Sequence, residues 1–313
     1  MKYAIVDVGS NTIRLSVYQA EGTQFRRLFA VKERAGLANY IENDIMTREG
    51  IQVACQVLNR FQGLLNQFPI DRTAVFATAS LRNIDNTEEA VAEIFQETGY
   101  PVDVVSGRDE GLYDFYGVLC QSEVAEGMVF DGGGGRTEIV TFAGGQPGLS
   151  DCMKIGCLNL FNQYVGHILP KKSEIVAMKG RVYDELERTV ENSHQILHTE
   201  TLCGVGGSVR AALKLLNDLE HFPAENQVIP APVFRRFMAG LCQRPQDYQN
   251  QILKTCPDRI HTLIPGLIIM NTLVRKTECK EILINGYGIR EGYLTRKVIP
   301  EGTASQNSLQ NSL

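Results

Sequence analysis

Tyr3-Ala4-Ile5-Val6-Asp7-Val8-Gly9-Ser10-Asn11-Thr12-Ile13-Arg14-Leu15 reads as an apolar strand, an aspartate, a glycine-containing tight turn and a returning strand. The same order recurs at Met128-Val129-Phe130-Asp131-Gly132-Gly133-Gly134-Gly135-Arg136-Thr137-Glu138-Ile139-Val140. Each returning strand then meets a second glycine turn, Glu21-Gly22-Thr23 in one copy and Ala143-Gly144-Gly145-Gln146 in the other, and a third strand candidate follows. A pattern used twice predicts two related lobes facing each other across a cleft. The turns offer backbone N–H groups beside a carboxylate, a combination that suits a phosphorylated ligand with a divalent metal.

The chain has 313 residues, enough for two domains, and a formal net charge of −5. That balance argues against a broad nucleic-acid surface. A phosphate-rich ligand would need local cations, and Arg14, Arg82, Arg136 and Arg210 all stand near glycine turns. Met1-Lys2 runs straight into a strand, so no secretory leader is expected, and no apolar run is long enough to span a membrane. The 8 cysteines are scattered, with no Cys-x-x-Cys pair. A zinc knuckle or redox dithiol is therefore not indicated, and a reduced cytoplasm is the expected setting.

Strands alternate with helices from the first hairpin onwards, the pattern of an α/β fold with a mixed sheet. Thr47 opens a helix that carries Ile51, Cys55, Leu58, Phe61, Leu64 and Leu65 at helical spacing, and Pro69 marks its end. A buried strand, Thr73 to Ala79, leads into Ser80-Leu81-Arg82, and Val102 to Val105 leads into Ser106-Gly107 and a helix from about Arg108. Further helices are expected from about Lys172, Ser208, Pro232, Arg259 and Ile289, with a last strand at Glu281 to Ile284. We expect an N-terminal lobe over 1–122 and a C-terminal lobe over 123–300, the last helix packing back on the first lobe, with a disordered polar tail over 301–313.

Three glycine-rich junctions are candidate phosphate cradles: Gly9, Ser10, Asn11 and Thr12; Gly133, Gly134 and Gly135 with Arg136; and Gly206, Gly207 and Ser208. Asp-Gly turns are also ordinary hairpin connectors, so it is the repetition that argues for a site. Asp7, Asp131 and Glu138 are candidate metal ligands, because Mg2+ needs few carboxylates when phosphate and water complete its shell. Arg82 follows a buried strand, where ligands of α/β proteins bind. Glu110 is the candidate acid–base residue, yet Asp109 and Glu110 stand where any helix welcomes acids, and on local grounds that reading is the stronger. His194 and His198 could share a helix face but lack the carboxylates of a zinc site.

Taken together these segments resemble one family. Asp7 to Leu15 resembles its opening signature, Ala77-Thr78-Ala79-Ser80-Leu81-Arg82 its Ala-Thr-(Ser/Ala)-Ala-Leu-Arg segment, and Ser106 to Gly111 its Ser-Gly-x-Glu-Glu-Ala segment. Asp131 to Glu138 resembles Asp-x-Gly-Gly-Gly-Ser-Thr-Glu, Gly204 to Arg210 resembles Gly-Thr-Gly-Gly-Thr-x-Arg, and Tyr287 to Gly292 matches Tyr-Gly-Leu-Arg-Glu-Gly. The family is the exopolyphosphatase/guanosine pentaphosphatase (Ppx/GppA) family, in its short form without the C-terminal HD-type domain.

The resemblance implies an actin-like, sugar-kinase-like ATPase fold of two ribonuclease-H-like lobes and metal-dependent hydrolysis of phosphoanhydrides. It makes Glu110 the catalytic residue, Asp131 and Glu138 the metal and phosphate-site acids, and Arg82 a phosphate ligand. Expected partners are Mg2+ or another divalent cation and polyphosphate or guanosine pentaphosphate, with no nucleic acid and no membrane; a homodimer is compatible. A non-catalytic polyphosphate or nucleotide sensor is the competing class. Against the family's pattern, Leu112 stands where many members have an arginine, Arg136 replaces a small serine of the glycine loop, and His261 sits where an aspartate is expected.

Overall fold

The computed structural model describes residues 1–22, 24–193 and 198–300. His194 and the tail from 301 onwards, expected to be disordered, lie outside the described residues. Contacts divide the chain into two units, one comprising Met1–Glu110 with the segment from Arg290, the other Gly111–Ile289.

In the first unit, β1 (Lys2–Val8), β2 (Thr12–Glu21) and β3 (Gln24–Arg34) form an antiparallel meander. A two-residue ribbon, β4 (Ile41–Glu42) with β5 (Ile45–Met46), precedes helix α1 (Arg48–Leu65). Then come β6 (Arg72–Ala77), the short α2 (Ala79–Arg82), α3 (Thr87–Thr98) and β7 (Val102–Val104), and α4 (Gly107–Leu119), whose first turn belongs to this unit and whose remainder, from Gly111, belongs to the second. The sheet runs β3-β2-β1-β6-β7, with β1, β6 and β7 parallel. Central β1 buries Ala4, Ile5, Val6 and Val8, as a strand covered on both faces must. Thr47 caps α1 by accepting the Gly50 N–H at 3.3 Å, and the helix lays Ile51, Ala54, Leu58 and Phe61 against Val6, Val8, Ile13 and Leu15.

The second unit repeats the plan. β8 (Glu126–Gly132), β9 (Thr137–Ala143) and β10 (Gln146–Met153) form the meander. They are followed by α5 (Cys157–Tyr164), α6 (Lys172–Ser193), β11 (Thr201–Val205) and α7 (Gly207–Leu219). β12 (Val228–Pro230), α8 (Ala231–Gln243), α9 (Gln249–Thr255), α10 (Leu263–Thr277) and β13 (Glu281–Ile284) complete it. Sheet order is β10-β9-β8-β11-β13-β12, with β8, β11 and β13 parallel. Its first five strands therefore reproduce, in order and direction, the five of the first unit.

The helix expected from Arg259 starts at Leu263. Pro257–Arg259 instead forms a 3₁₀ turn, and Pro265 is tolerated because it falls in the first turn of α10, whose N–H groups have no intrahelical partner. After β13 come α11 (Ile289–Tyr293) and a π-helical turn over Leu294–Val298. Tyr293 packs on Phe76 at 4.7 Å between ring centroids and donates to Asp103 at 2.9 Å, and Arg72 donates to the Val298 carbonyl at 3.1 Å. No helix among the described residues is long and apolar enough to cross a membrane.

Candidate functional site

The turn between β1 and β2 is tight: Gly9 N–H donates to Thr12 O at 3.2 Å, and a Cβ on Gly9 would lie 2.9 Å from that oxygen. From outside, Ala38 N–H donates to Ser10 O at 2.8 Å and Gly36 N–H to Asn11 O at 3.0 Å. In a trans peptide the N–H points opposite to the C=O, so these bonds turn the Asn11 and Thr12 amides away from the 36–38 segment. Asp7 stands opposite Arg14 across the hairpin. Burial raises its carboxyl pKa, Arg14 and Arg290 pull it down, and Glu291 pushes it up again.

Arg82 and Glu110 meet although 28 residues separate them, with Arg82 Nη1 donating to Glu110 Oε2 at 2.7 Å. Two contacts bring them together. Ser80, at the start of α2, donates to the Val8 carbonyl and ties that helix to the end of β1. Arg82 Nη1 also donates to Val105 O at 2.9 Å, just before α4. Asp109, not Glu110, serves the helix start: its N–H donates to Ser106 Oγ at 3.1 Å, and Ser106 Oγ donates to its carboxylate at 2.7 Å. Both members of the Arg82–Glu110 pair are mostly buried, with side chains 16% and 17% exposed. Arg82 Nη2 is buried and has no hydrogen-bond partner among the described residues. Leaving such a donor unmade costs about 1–3 kcal/mol.

The second glycine loop sits on the N-terminus of α5. Cys157 N–H donates to Gly133 O at 2.9 Å, Leu158 N–H to Gly134 O at 2.8 Å, and Asn159 Nδ2 to Gly135 O at 2.9 Å. By the same peptide geometry the Gly134 and Gly135 amides point away from α5. Asp131 and Glu138 are directly opposite each other on β8 and β9, hence on one face of the sheet. Facing carboxylates repel, and a divalent cation offsets that repulsion. Among the described residues no three His, Cys, Asp or Glu side chains are grouped to hold a metal. Asp131 and Glu138 therefore fit Mg2+ only if substrate oxygens and water supply the remaining ligands.

Gly206 adopts φ +96°, and a Cβ there would collide with Asp131 Oδ1. The third glycine junction thus brings the Asp131 carboxylate to the N-terminus of α7, where a negative charge is favoured. Ser208 is buried and hydrogen-bonds with the Cys157 thiol.

The three departures have local explanations. Arg136 points Nη1 at Cys152 Sγ, 3.9 Å away, and Cys152 donates to Glu138 Oε1 at 3.4 Å. Leu112 joins the apolar cluster of Phe115, Val118 and Val140. His261 packs on Phe161 with ring centroids 4.8 Å apart. Two neighbours of the site escape the sequence reading. Arg259 lies where a Cβ on Gly207 would strike its guanidinium, and Cys152 touches Glu138 from β10. Neither carries a local signal: Arg259 follows Pro257-Asp258, and Cys152 is the last residue but one of an edge strand.

The sequence model of the Ppx/GppA phosphatase family matches residues 16–300. A guanosine-5'-triphosphate,3'-diphosphate pyrophosphatase of Aeromonas salmonicida is 24% identical over 295 residues, which are 93% of this chain and 58% of that relative. The chain thus spans well under two thirds of that relative's length. The crystal structure of the Aquifex aeolicus Ppx/GppA family member is similar with a TM-score of 0.80 at 22% identity, covering 96% of this chain and 98% of that one. An exopolyphosphatase structure from Cytophaga hutchinsonii is similar with a TM-score of 0.79 at 19% identity, covering 94% and 96% of the two chains. These likenesses show that the chain has the fold of those solved structures.

Proposed function

The chain belongs to the Ppx/GppA phosphatase family, and on that premise we propose that it hydrolyses phosphoanhydride bonds, releasing terminal orthophosphate from inorganic polyphosphate. The observation that carries this reading is the two-sided guanidinium of Arg82. Nη1 holds Glu110, and Nη2 is a buried donor awaiting an acceptor. A phosphoryl oxygen on Nη2 would place the reacting group beside the Glu110 carboxylate, within reach of a water held between them.

Glu110 then orients that water and takes its proton as the oxygen attacks phosphorus in line with the leaving phosphate. Arg82 spreads the developing charge over its fork of donors. The Asn11 and Thr12 amides of the same unit are further donors for phosphate oxygens. In the second unit Asp131 and Glu138 would hold a divalent cation, which when bound would supply Lewis-acid charge to phosphate oxygens held there, with the Gly134 and Gly135 amides as donors. Replacing Glu110 by Gln keeps the shape and a hydrogen bond but removes the base. Orthophosphate release from polyphosphate should fall at least ~100-fold while polyphosphate binding survives. A fully active Glu110→Gln protein would remove Glu110 from the mechanism, and release unaffected by chelator would remove the cation.

A second reading, hydrolysis of guanosine pentaphosphate, is favoured by the name of the Aeromonas salmonicida relative. It uses the same anhydride chemistry. The ratio of kcat/KM on the two substrates, measured side by side, decides between them.

A further inference from the structure

Strand β10 lies at the edge of the second unit's sheet, and a shift in its register decides what stands beside Glu138. Gln146 pairs with Ala143 and Pro147 with Phe142, but Ser150 pairs with Val140, so β10 takes up an extra residue in between. The shift sets Cys152 opposite Glu138. Without it Asp151 would stand there, adding another acid to a row that already holds Asp131 and Glu138.

The thiol instead links that row to a cation. Cys152 Sγ donates to Glu138 Oε1 at 3.4 Å, and Arg136 Nη1 lies 3.9 Å from the same sulfur. The guanidinium therefore stands within a single thiol's span of the Glu138 carboxylate. Both charges act on that sulfur: burial and Glu138 raise the Cys152 pKa, and Arg136 lowers it. The main chain of Arg136 is fixed as well. A Cβ on Gly156 would lie 2.6 Å from its N, and one on Gly133 2.9 Å from its O. Arg136 is half-buried and Glu138 is buried, so salt and water screen the two charges only in part.

We propose that Arg136 is a resident counter-charge for the Asp131–Glu138 acid pair and sets how tightly the pair holds a divalent cation. The proposal rests on the reading of those two acids as cation ligands, and it adds a determinant of their affinity. Facing carboxylates repel, and that repulsion favours any cation that relieves it. A guanidinium beside one of them relieves part of it before an ion arrives, and repels the ion that does. Arg136 thus acts through the two acids rather than on the reacting phosphorus. A role as a phosphate ligand of the glycine loop would leave cation binding untouched when no phosphate is present, so measurement separates the two roles.

The test titrates full-length wild type, Arg136→Gln, Arg136→Lys and Asp131→Asn with Mn2+ in phosphate-free buffer, reading free Mn2+ by electron paramagnetic resonance. Gln removes the charge and Lys keeps it. The expected result is Mn2+ bound about tenfold more tightly by Arg136→Gln, and within about twofold of wild type by Arg136→Lys. Asp131→Asn should lose the site. In turnover, Arg136→Gln should reach half-maximal orthophosphate release at a lower Mg2+ concentration. Equal or weaker Mn2+ binding by Arg136→Gln overturns the counter-charge. So does an Arg136→Lys protein that binds as tightly as Arg136→Gln, because shape rather than charge would then be the cause. If wild type and Arg136→Gln both bind no Mn2+, or Asp131→Asn binds as wild type does, the cation reading of Asp131 and Glu138 falls and takes the counter-charge with it. A site lost in Asp131→Asn but unmoved in Arg136→Gln leaves that reading standing and removes the counter-charge alone.

Discussion

Asp109 and Glu110 are adjacent acids in the same helical turn, yet they do different work. Asp109 takes the Ser106 hydroxyl and closes the helix start, while Glu110 reaches Arg82. Helix-dipole reasoning treats the pair alike, so the local reading that both merely serve the helix holds for one and misses the other. Gly206 shows the opposite situation, a residue whose role is legible in part. A strand–glycine–helix junction signals close approach, but only the structure names the neighbour as Asp131. Gly206→Ala combines a positive φ with that collision, and we expect a loss of about 1–3 kcal/mol, read from the urea midpoint, together with weakened metal-dependent turnover. An unchanged midpoint would mean that Asp131 moves aside at no cost.

At the scale of elements, the two hairpins were readable because period-2 burial and glycine turns are local properties. Helix α5 was not, although its N-terminal amides organise the second glycine loop. Its eight residues are too few for a periodic stripe, and it starts at Cys157, whose neighbours give no capping signal beyond Asn159. Helix α6 is tied to the end of β10 by Glu185, which accepts the Lys154 N–H at 2.9 Å and Arg181 at 2.9 Å. Burial alone would raise its pKa, but the bonds from Arg181 and Lys154, with the charges of Arg181 and Arg188, outweigh it and leave the carboxyl below its ordinary 4.5. A carboxyl depressed on folding contributes stability above pH 4.5 that is lost as pH falls through its lower folded value. Glu185→Gln should therefore destabilise the protein by about 2 kcal/mol at pH 7 and progressively less below pH 4.5. A deficit that stayed constant down to pH 3 would remove the charge from the explanation.

For the whole molecule, none of the 8 cysteines is in a disulfide. Burial pushes Cys55 and Cys157 up to about 11, and Cys203 to about 12. Cys152 also reaches about 12, through burial and then the neighbouring Glu138. Thiols held that high are almost wholly protonated at pH 8 and react slowly. Exposed Cys120 should be the first to react with an aromatic disulfide reagent, and the denatured chain should yield 8 thiols. Rapid labelling of Cys152 in the native protein would contradict the geometry around Glu138. The duplication extends to this scale too, for five strands of one unit reproduce five of the other in order and direction.

The sequence by itself determined the repeated hairpins, the α/β class, the family and the glycine junctions. Each of these depends on residues within a few positions of one another, where alternation, turn chemistry and steric limits act directly. Only the tertiary structure decided that Arg82 meets Glu110, that Arg259 approaches Gly207, and that Cys152, not Asp151, stands opposite Glu138 and touches it. Those placements depend on which strands become neighbours and on one shift of register between them. A hydrophobic pattern constrains which face of a strand is buried; it does not specify which strand lies alongside or where a bulge falls.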